Sequence, residues 1–134
     1  MPSRVPDTGP LPTPESPAEA REYLKTAAFE SPDIDEVEMV CEEFTSLCPK
    51  TGQPDFGSVT IKYRPQGHCL ESRALKYYMW SYRSEPAFCE SVAARIANDV
   101  VYAIGPARVE VEVAQRVRGG IRIYARASRE AYTQ

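Results

Sequence analysis

A chain of 134 residues with 43% hydrophobic content has room for one modest domain and not for several. A net charge of -3 and a pI near 5.3 exclude a general attraction to a nucleic-acid backbone, so no nucleic-acid partner is expected. No stretch approaches the ~20 apolar residues that cross a bilayer, and no apolar run follows Arg4 as a secretory signal requires, so a soluble cytoplasmic protein without a membrane partner is expected.

Residues Pro2 to Pro17 carry six prolines, which fix the backbone and remove amide donors, so an extended tail is expected there. Ala18 to Ala28 contains good helix formers and suits a short helix, after which Ser31-Pro32-Asp33 breaks the pattern. Residues 1–35 therefore read as a Pro-rich extension outside the core, and residues 36–134 as a single domain.

From Ile34 to Phe44, Val37, Met39 and Cys41 alternate with Glu36, Glu38 and Glu42, the period of a half-buried strand. Gly57 to Arg64 repeats the alternation with Val59, Ile61 and Tyr63 on one face. The CPKTGQPDF stretch between them is rich in turn formers and reads as a loop presenting side chains outward. The period then changes: Leu75, Tyr78, Met79 and Tyr82 mark an amphipathic helix from about Glu71 to Arg83. Ser84 and Pro86 suit the cap and first turn of a second helix, with Val92, Ile96, Val100 and Ala103 as its buried stripe and Gly105-Pro106 as its end. Alternation returns at Val109, Val111 and Val113, followed by a turn at Arg118-Gly119-Gly120 and a strand from Ile121 to Ala125.

The order ββααββ predicts an α+β domain with an antiparallel sheet and two helices on one face. Both sheet edges would stay open, and assembly of several copies into a barrel would close them.

Cysteines stand at 41, 48, 69 and 89, with neither paired spacing nor secretory context, so free thiols are expected. There is no CxxC or HExxH, and the only histidine, His68, adjoins Cys69, so no metal site is expected. Cys48, on a loop two residues before Lys50, has the makings of a nucleophile if a nearby cation lowers its pKa; taken alone, these residues more often mark a semi-buried cysteine without chemical role. Asp55 follows a proline, where aspartate also serves as a turn cap. Glu90 either favours the dipole of a helix start or accepts two adjacent N–H donors of a guanine-like edge. Arg73, Lys76 and Arg118 are either solvated charges or ligands for dinucleotide phosphates.

FTSLCPKTGQPDF, then ESRALKYYMWSYR, FCE and RGG, spanning Phe44 to Ile123, together resemble the 7-cyano-7-deazaguanine reductases, the NADPH-dependent nitrile reductases of queuosine biosynthesis. The resemblance implies a tunnelling fold whose subunits assemble as a homo-oligomer of two stacked pentameric rings, with active sites between subunits. It implies Cys48 as the nucleophile that forms a covalent thioimide with the nitrile carbon, and Asp55 as proton donor, kept protonated in an enclosed site. Glu90 matches the glutamate that holds the deazaguanine, with Phe88 and Cys89 beside it, and Glu71 and Ser72, which open the ESRALKYY motif, are implied as further substrate-binding positions. Arg73, Lys76, Arg118 and Gly119 match the NADPH-binding positions. Two positions depart from the family pattern: Cys89 replaces a usual histidine, and Arg73 a usual lysine. A protective disulfide between Cys48 and Cys89 would follow if the family geometry brings them together. An amidinotransferase of the same fold acting on modified tRNA, a zinc cyclohydrolase of that fold and a non-catalytic purine- or pterin-binding module are the alternative readings.

Overall fold

The computed structural model describes residues 5, 6 and 8–131. Helix α1 (Pro17–Thr26) opens at Ser16, whose Oγ accepts the Glu19 amide at 3.1 Å, and Pro17 costs no intrahelical donor in the first turn. Ala20 and Leu24 are completely buried and Tyr23 nearly so. The expectation that this region stays outside the core is thereby corrected. Residues 20, 23 and 24 form an apolar stripe at helical spacing, which the surrounding prolines obscured in the sequence.

Strand β1 (Phe29–Glu30) pairs antiparallel with β4 (His68–Cys69) in a two-residue ribbon. Strands β2 (Val37–Leu47) and β3 (Pro54–Arg64) form a hairpin, with Ser46 opposite Asp55 and Leu47 opposite Pro54. Both strands run further than the apolar alternation indicated, and the expected loop shrinks to a turn over residues 48–53. The alternation was masked by a β-bulge: between Cys41 and Phe44 the register shifts, so that Glu42 and Glu43 both face solvent and Phe44 returns to the core.

Helix α2 (Ser72–Trp80) is capped by Glu71, whose carboxylate accepts the amides of Arg73 and Ala74, each at 2.8 Å. It ends at Trp80 instead of Arg83. Helix α3 (Cys89–Ile104) starts five residues after its expected cap at Ser84, with Phe88 as N-cap. The cause is a competing partner. The Leu47 amide donates to the Glu85 carbonyl at 3.0 Å and the Ala87 amide donates to the Leu47 carbonyl at 3.1 Å, which holds Glu85 to Ala87 extended against the end of β2.

Strands β5 (Arg108–Arg118) and β6 (Ile121–Glu130) complete an antiparallel sheet of order β2-β3-β5-β6. Gly119 and Gly120 turn this last hairpin with φ of 58° and 79°, the conformation a two-residue turn matched to strand twist demands. Val59, Ile61 and Tyr63 of β3 and Val109, Val111 and Val113 of β5 are at most 2% exposed, as are Val92, Ile96 and Val100 of α3. Each such side chain contributes roughly 1.5–3 kcal/mol by leaving water. Where β3 and β5 approach, a β-carbon at Gly57 would lie 2.3 Å from the Ala114 carbonyl oxygen.

The buried faces of the three helices also share polar groups. Tyr78 Oη donates to Asp99 Oδ2 and contacts Tyr82 Oη at 2.7 Å, while Arg21 Nη1 reaches Asp99 Oδ1 at 3.4 Å. The chain thus meets the cost of burying a carboxylate with two donors from two other helices.

Candidate active site

Cys48 begins the turn between β2 and β3. Its amide donates to the Gln53 carbonyl at 2.8 Å and its carbonyl accepts from the Gly52 amide at 2.8 Å, so the backbone on either side of the thiol is fixed. The sulfur is partly exposed and lies among donors: the Thr51 hydroxyl first, then the backbone amides of Thr51 and Lys50, with the Arg118 guanidinium contributing least. These donors hold the thiol at about 7, below its ordinary 9.0. The activating groups therefore differ from those anticipated. Lys50 acts through its backbone, and Thr51, three residues after the cysteine, was passed over; a hydroxyl residue in a tight turn is the signal that points to it.

Asp55 projects from β3 toward the helices and is 7% exposed. Arg118, at the end of β5, donates from Nη1 to Asp55 Oδ1. The same guanidinium is the smallest of the influences that lower the Cys48 thiol, although the sequence separates Arg118 from Asp55 by 63 positions and from Cys48 by 70. Arg118 is placed with the thiol and the acid, apart from Arg73 and Lys76 on α2. Gly119 sits in the adjoining hairpin turn.

The extended contact of Leu47 with Glu85 and Ala87 carries the start of α3 to the same end of the molecule as the Cys48 turn. Phe88 is 51% exposed, and Glu90 is exposed in the first turn of α3. Cys89 Sγ donates to Glu90 Oε1 at 3.5 Å. Burial, and then the neighbouring Glu90 carboxylate, push the Cys89 thiol up to about 11, so it stays protonated and neutral. Cys48 and Cys89 are both free thiols.

The α2 residues separate onto two sides. Glu71 is committed to capping the helix. Arg73 turns toward the N-terminal segment, donating from Nη1 to the Pro6 carbonyl at 2.8 Å and Tyr23 Oη at 2.7 Å, and from Nη2 to the Gly9 carbonyl at 3.1 Å. Ser72 and Lys76 instead line a groove of about 800 Å³ between α2 and β2, together with Trp80 and Arg83. Cations, a hydroxyl and an aromatic ring along one groove suit the phosphates and rings of a dinucleotide. Among the described residues no cluster of three or more metal-ligating side chains occurs, and no helix is long and apolar enough to cross a membrane.

Fold and site together define an α+β domain that presents an activated thiol beside a buried carboxylate at the end of a four-stranded antiparallel sheet. The profile of the QueF-like protein family matches residues 54–134. A protein of Anaeromyxobacter sp. (strain Fw109-5), named NADPH-dependent 7-cyano-7-deazaguanine reductase, is 44% identical over 106 residues, covering 78% of this chain and 87% of the relative. One of the same name from Magnetococcus marinus is 44% identical over 110 residues, covering 81% and 86%. The chain belongs to the QueF-like protein family. The crystal structure of the archaeosine synthase QueF-Like in the apo form superposes with a TM-score of 0.66 over 78% of this chain and all of that one. At 24% identity this neighbour establishes the fold, the ββααββ subunit of the tunnelling type.

Proposed function

We propose that this chain reduces the nitrile of 7-cyano-7-deazaguanine to an aminomethyl group with NADPH, through a covalent thioimide on Cys48. The observation that carries the reading is the Cys48 thiol, held near 7 by the Thr51 hydroxyl and the turn amides, so that about half is thiolate at neutral pH. A nitrile is a poor hydride acceptor; addition of sulfur to its carbon makes a C=N bond that accepts one readily.

The resting pair of Asp55 and Arg118 sets the proton path. Asp55 takes up the proton that leaves the Cys48 thiol and passes it to the nitrile nitrogen as the C–S bond forms. Arg118 steadies the thiolate and the carboxylate in turn. Two NADPH molecules bound in succession would supply one hydride each, and Asp55, recharged from solvent, returns a proton to the nitrogen after each. Between the two reductions the C–S bond breaks and its electron pair returns to sulfur, leaving an imine for the second. Glu90 accepts the adjacent ring N–H and amino donors of the deazaguanine, with Cys89 S–H orienting one oxygen and Phe88 covering the ring. Ser72 and Lys76 face the cofactor.

The half-exposed Phe88 and exposed Glu90 leave the site open in one subunit. A second copy joined along the free edges of the sheet encloses it, and the resulting homo-oligomer is part of the proposal.

NADPH absorbance followed with 7-cyano-7-deazaguanine tests the reading. Wild type oxidises two equivalents per nitrile, and Cys48→Ala neither oxidises NADPH nor acquires the mass of the substrate. Absence of oxidation by wild type, or unimpaired oxidation by Cys48→Ala, overturns it.

A further inference from the structure

Opposite Asp55 in the hairpin of β2 and β3 stands Ser46, so the two side chains rise from the same face of the sheet with their β-carbons about 4.5–5.5 Å apart. Both are buried, Ser46 at 4% exposure and Asp55 at 7%. The face is otherwise apolar on β2, where Phe44 precedes Ser46 and is buried as well. A hydroxyl placed there gives up water, yet among the described residues Ser46 Oγ has no hydrogen-bond partner. Asp55 is only half satisfied too: Arg118 Nη1 donates to Oδ1, and no group among the described residues donates to Oδ2. Because β3 lies between β2 and β5, the carboxyl has Arg118 on one side and Ser46 on the other.

We infer that Ser46 is a positioning residue for Asp55: its hydroxyl binds the carboxyl oxygen that Arg118 leaves open and holds that oxygen toward the nitrile nitrogen. This rests on the reductase reading above. A carboxyl tied at one oxygen still swings about its last torsion, which is broad, whereas a proton donor has to stay within hydrogen-bond reach of the atom it protonates. Partners on opposite sides remove that freedom. The nature of the second partner matters, because Asp55 alternates between acid and carboxylate in each cycle. Another cation would hold the oxygen and also hold it ionised; a neutral hydroxyl, which turns to donate or accept, orients the oxygen and leaves the proton free to come and go. Ser46 keeps its own proton throughout, and the proton that reaches nitrogen is the one Asp55 carries. The strand that presents the hydroxyl is anchored at the next residue, where Leu47 bonds the backbone of Glu85 and Ala87. Alanine would fill the same space without the cost of burying an oxygen, so the oxygen is what the position uses.

The test mixes the full-length protein with 7-cyano-7-deazaguanine and no NADPH, so that thioimide formation alone is followed, by rapid quenching and mass. Ser46→Ala acquires the mass of the substrate at least about tenfold more slowly than wild type, the loss expected for one charge-assisted contact, and is slowed more than wild type by D2O. Ser46→Thr, which keeps the hydroxyl, recovers most of the rate. Affinity for the nitrile, measured by calorimetry with Cys48→Ala as the common background so that no bond forms, changes by no more than about twofold. The alkylation midpoint of Cys48 stays near 7 in both variants. A wild-type rate in Ser46→Ala, a Ser46→Thr protein no faster than Ser46→Ala, or an unaltered solvent isotope effect each overturns the inference while the reductase reading stands. So does a loss of rate matched by weaker nitrile binding or by a moved Cys48 midpoint, since either places the effect in the shape of the turn and not in the proton. Failure of wild type to acquire the mass at all removes that reading together with the inference.

Discussion

At the residue scale, the chemistry depends on how a six-residue turn treats one sulfur. Cys41 and Cys89 are held at about 11 by burial, whereas Cys48, among the donors of its turn, stands at about 7. Alkylation by iodoacetamide should therefore modify Cys48 first, with a rate that rises with pH to a midpoint near 7. Because the Thr51 hydroxyl is the largest cause, Thr51→Val should move that midpoint up toward the ordinary 9.0 and slow modification most at slightly acid pH. An unmoved midpoint in the Thr51 variant would show that the backbone amides suffice. Cys48 and Asp55, the proposed nucleophile and acid, stand out in the sequence because both lie in one specific run of residues, CPKTGQPD. The ion pair of Asp55 with Arg118 was not legible, since the motif that contains Arg118 lies on another strand and matched cofactor-binding positions.

At the scale of elements, periodicity found both central helices and every strand of the main sheet, and its errors have local causes. The stripe Val92, Ile96, Val100 and Ala103 is buried as its spacing required. The start of α3 was misplaced because a long-range contact with Leu47 overrides the cap signal of Ser84 and Pro86. Asp99 carried no sequence signal at all, since an isolated acid on a helix looks solvated; only packing reveals it 4% exposed beneath Tyr78. Tyr78→Phe removes a donor to that buried carboxylate and should cost about 1–3 kcal/mol in urea unfolding. Burial holds the Asp99 carboxyl above its ordinary 3.8, against the opposing pull of Tyr78 and then Arg21. The folded state thus binds this proton more tightly than the unfolded chain. Its contribution to stability is complete below the ordinary value and is lost as pH rises through the folded one, so Asp99→Asn should flatten the acid side of the stability profile. A profile unchanged in that variant would show that the Asp99 carboxyl titrates alike in the folded and unfolded chain.

At the scale of the whole molecule, the sheet has helices on one face and a polar opposite face, where Arg126 Nε meets Glu112 Oε2 at 2.7 Å. Strands β2 and β6 are its free edges, each of ten or more residues. Edges of that length seek partners, and sedimentation at micromolar concentration should show an assembly of several subunits; a pure monomer would remove the proposed closure of the site. The close passage of Gly57 against Ala114 bears on how such a protein can vary. Hydrogen is the largest substituent this crossing admits, and Asp55 lies two residues away on the same face of β3. Even alanine would have to pry the third strand from the fifth, carrying the acid away from its thiol. In a saturation library selected only for turnover, this position should be as bare of substitutes as Cys48, although it carries no side chain at all.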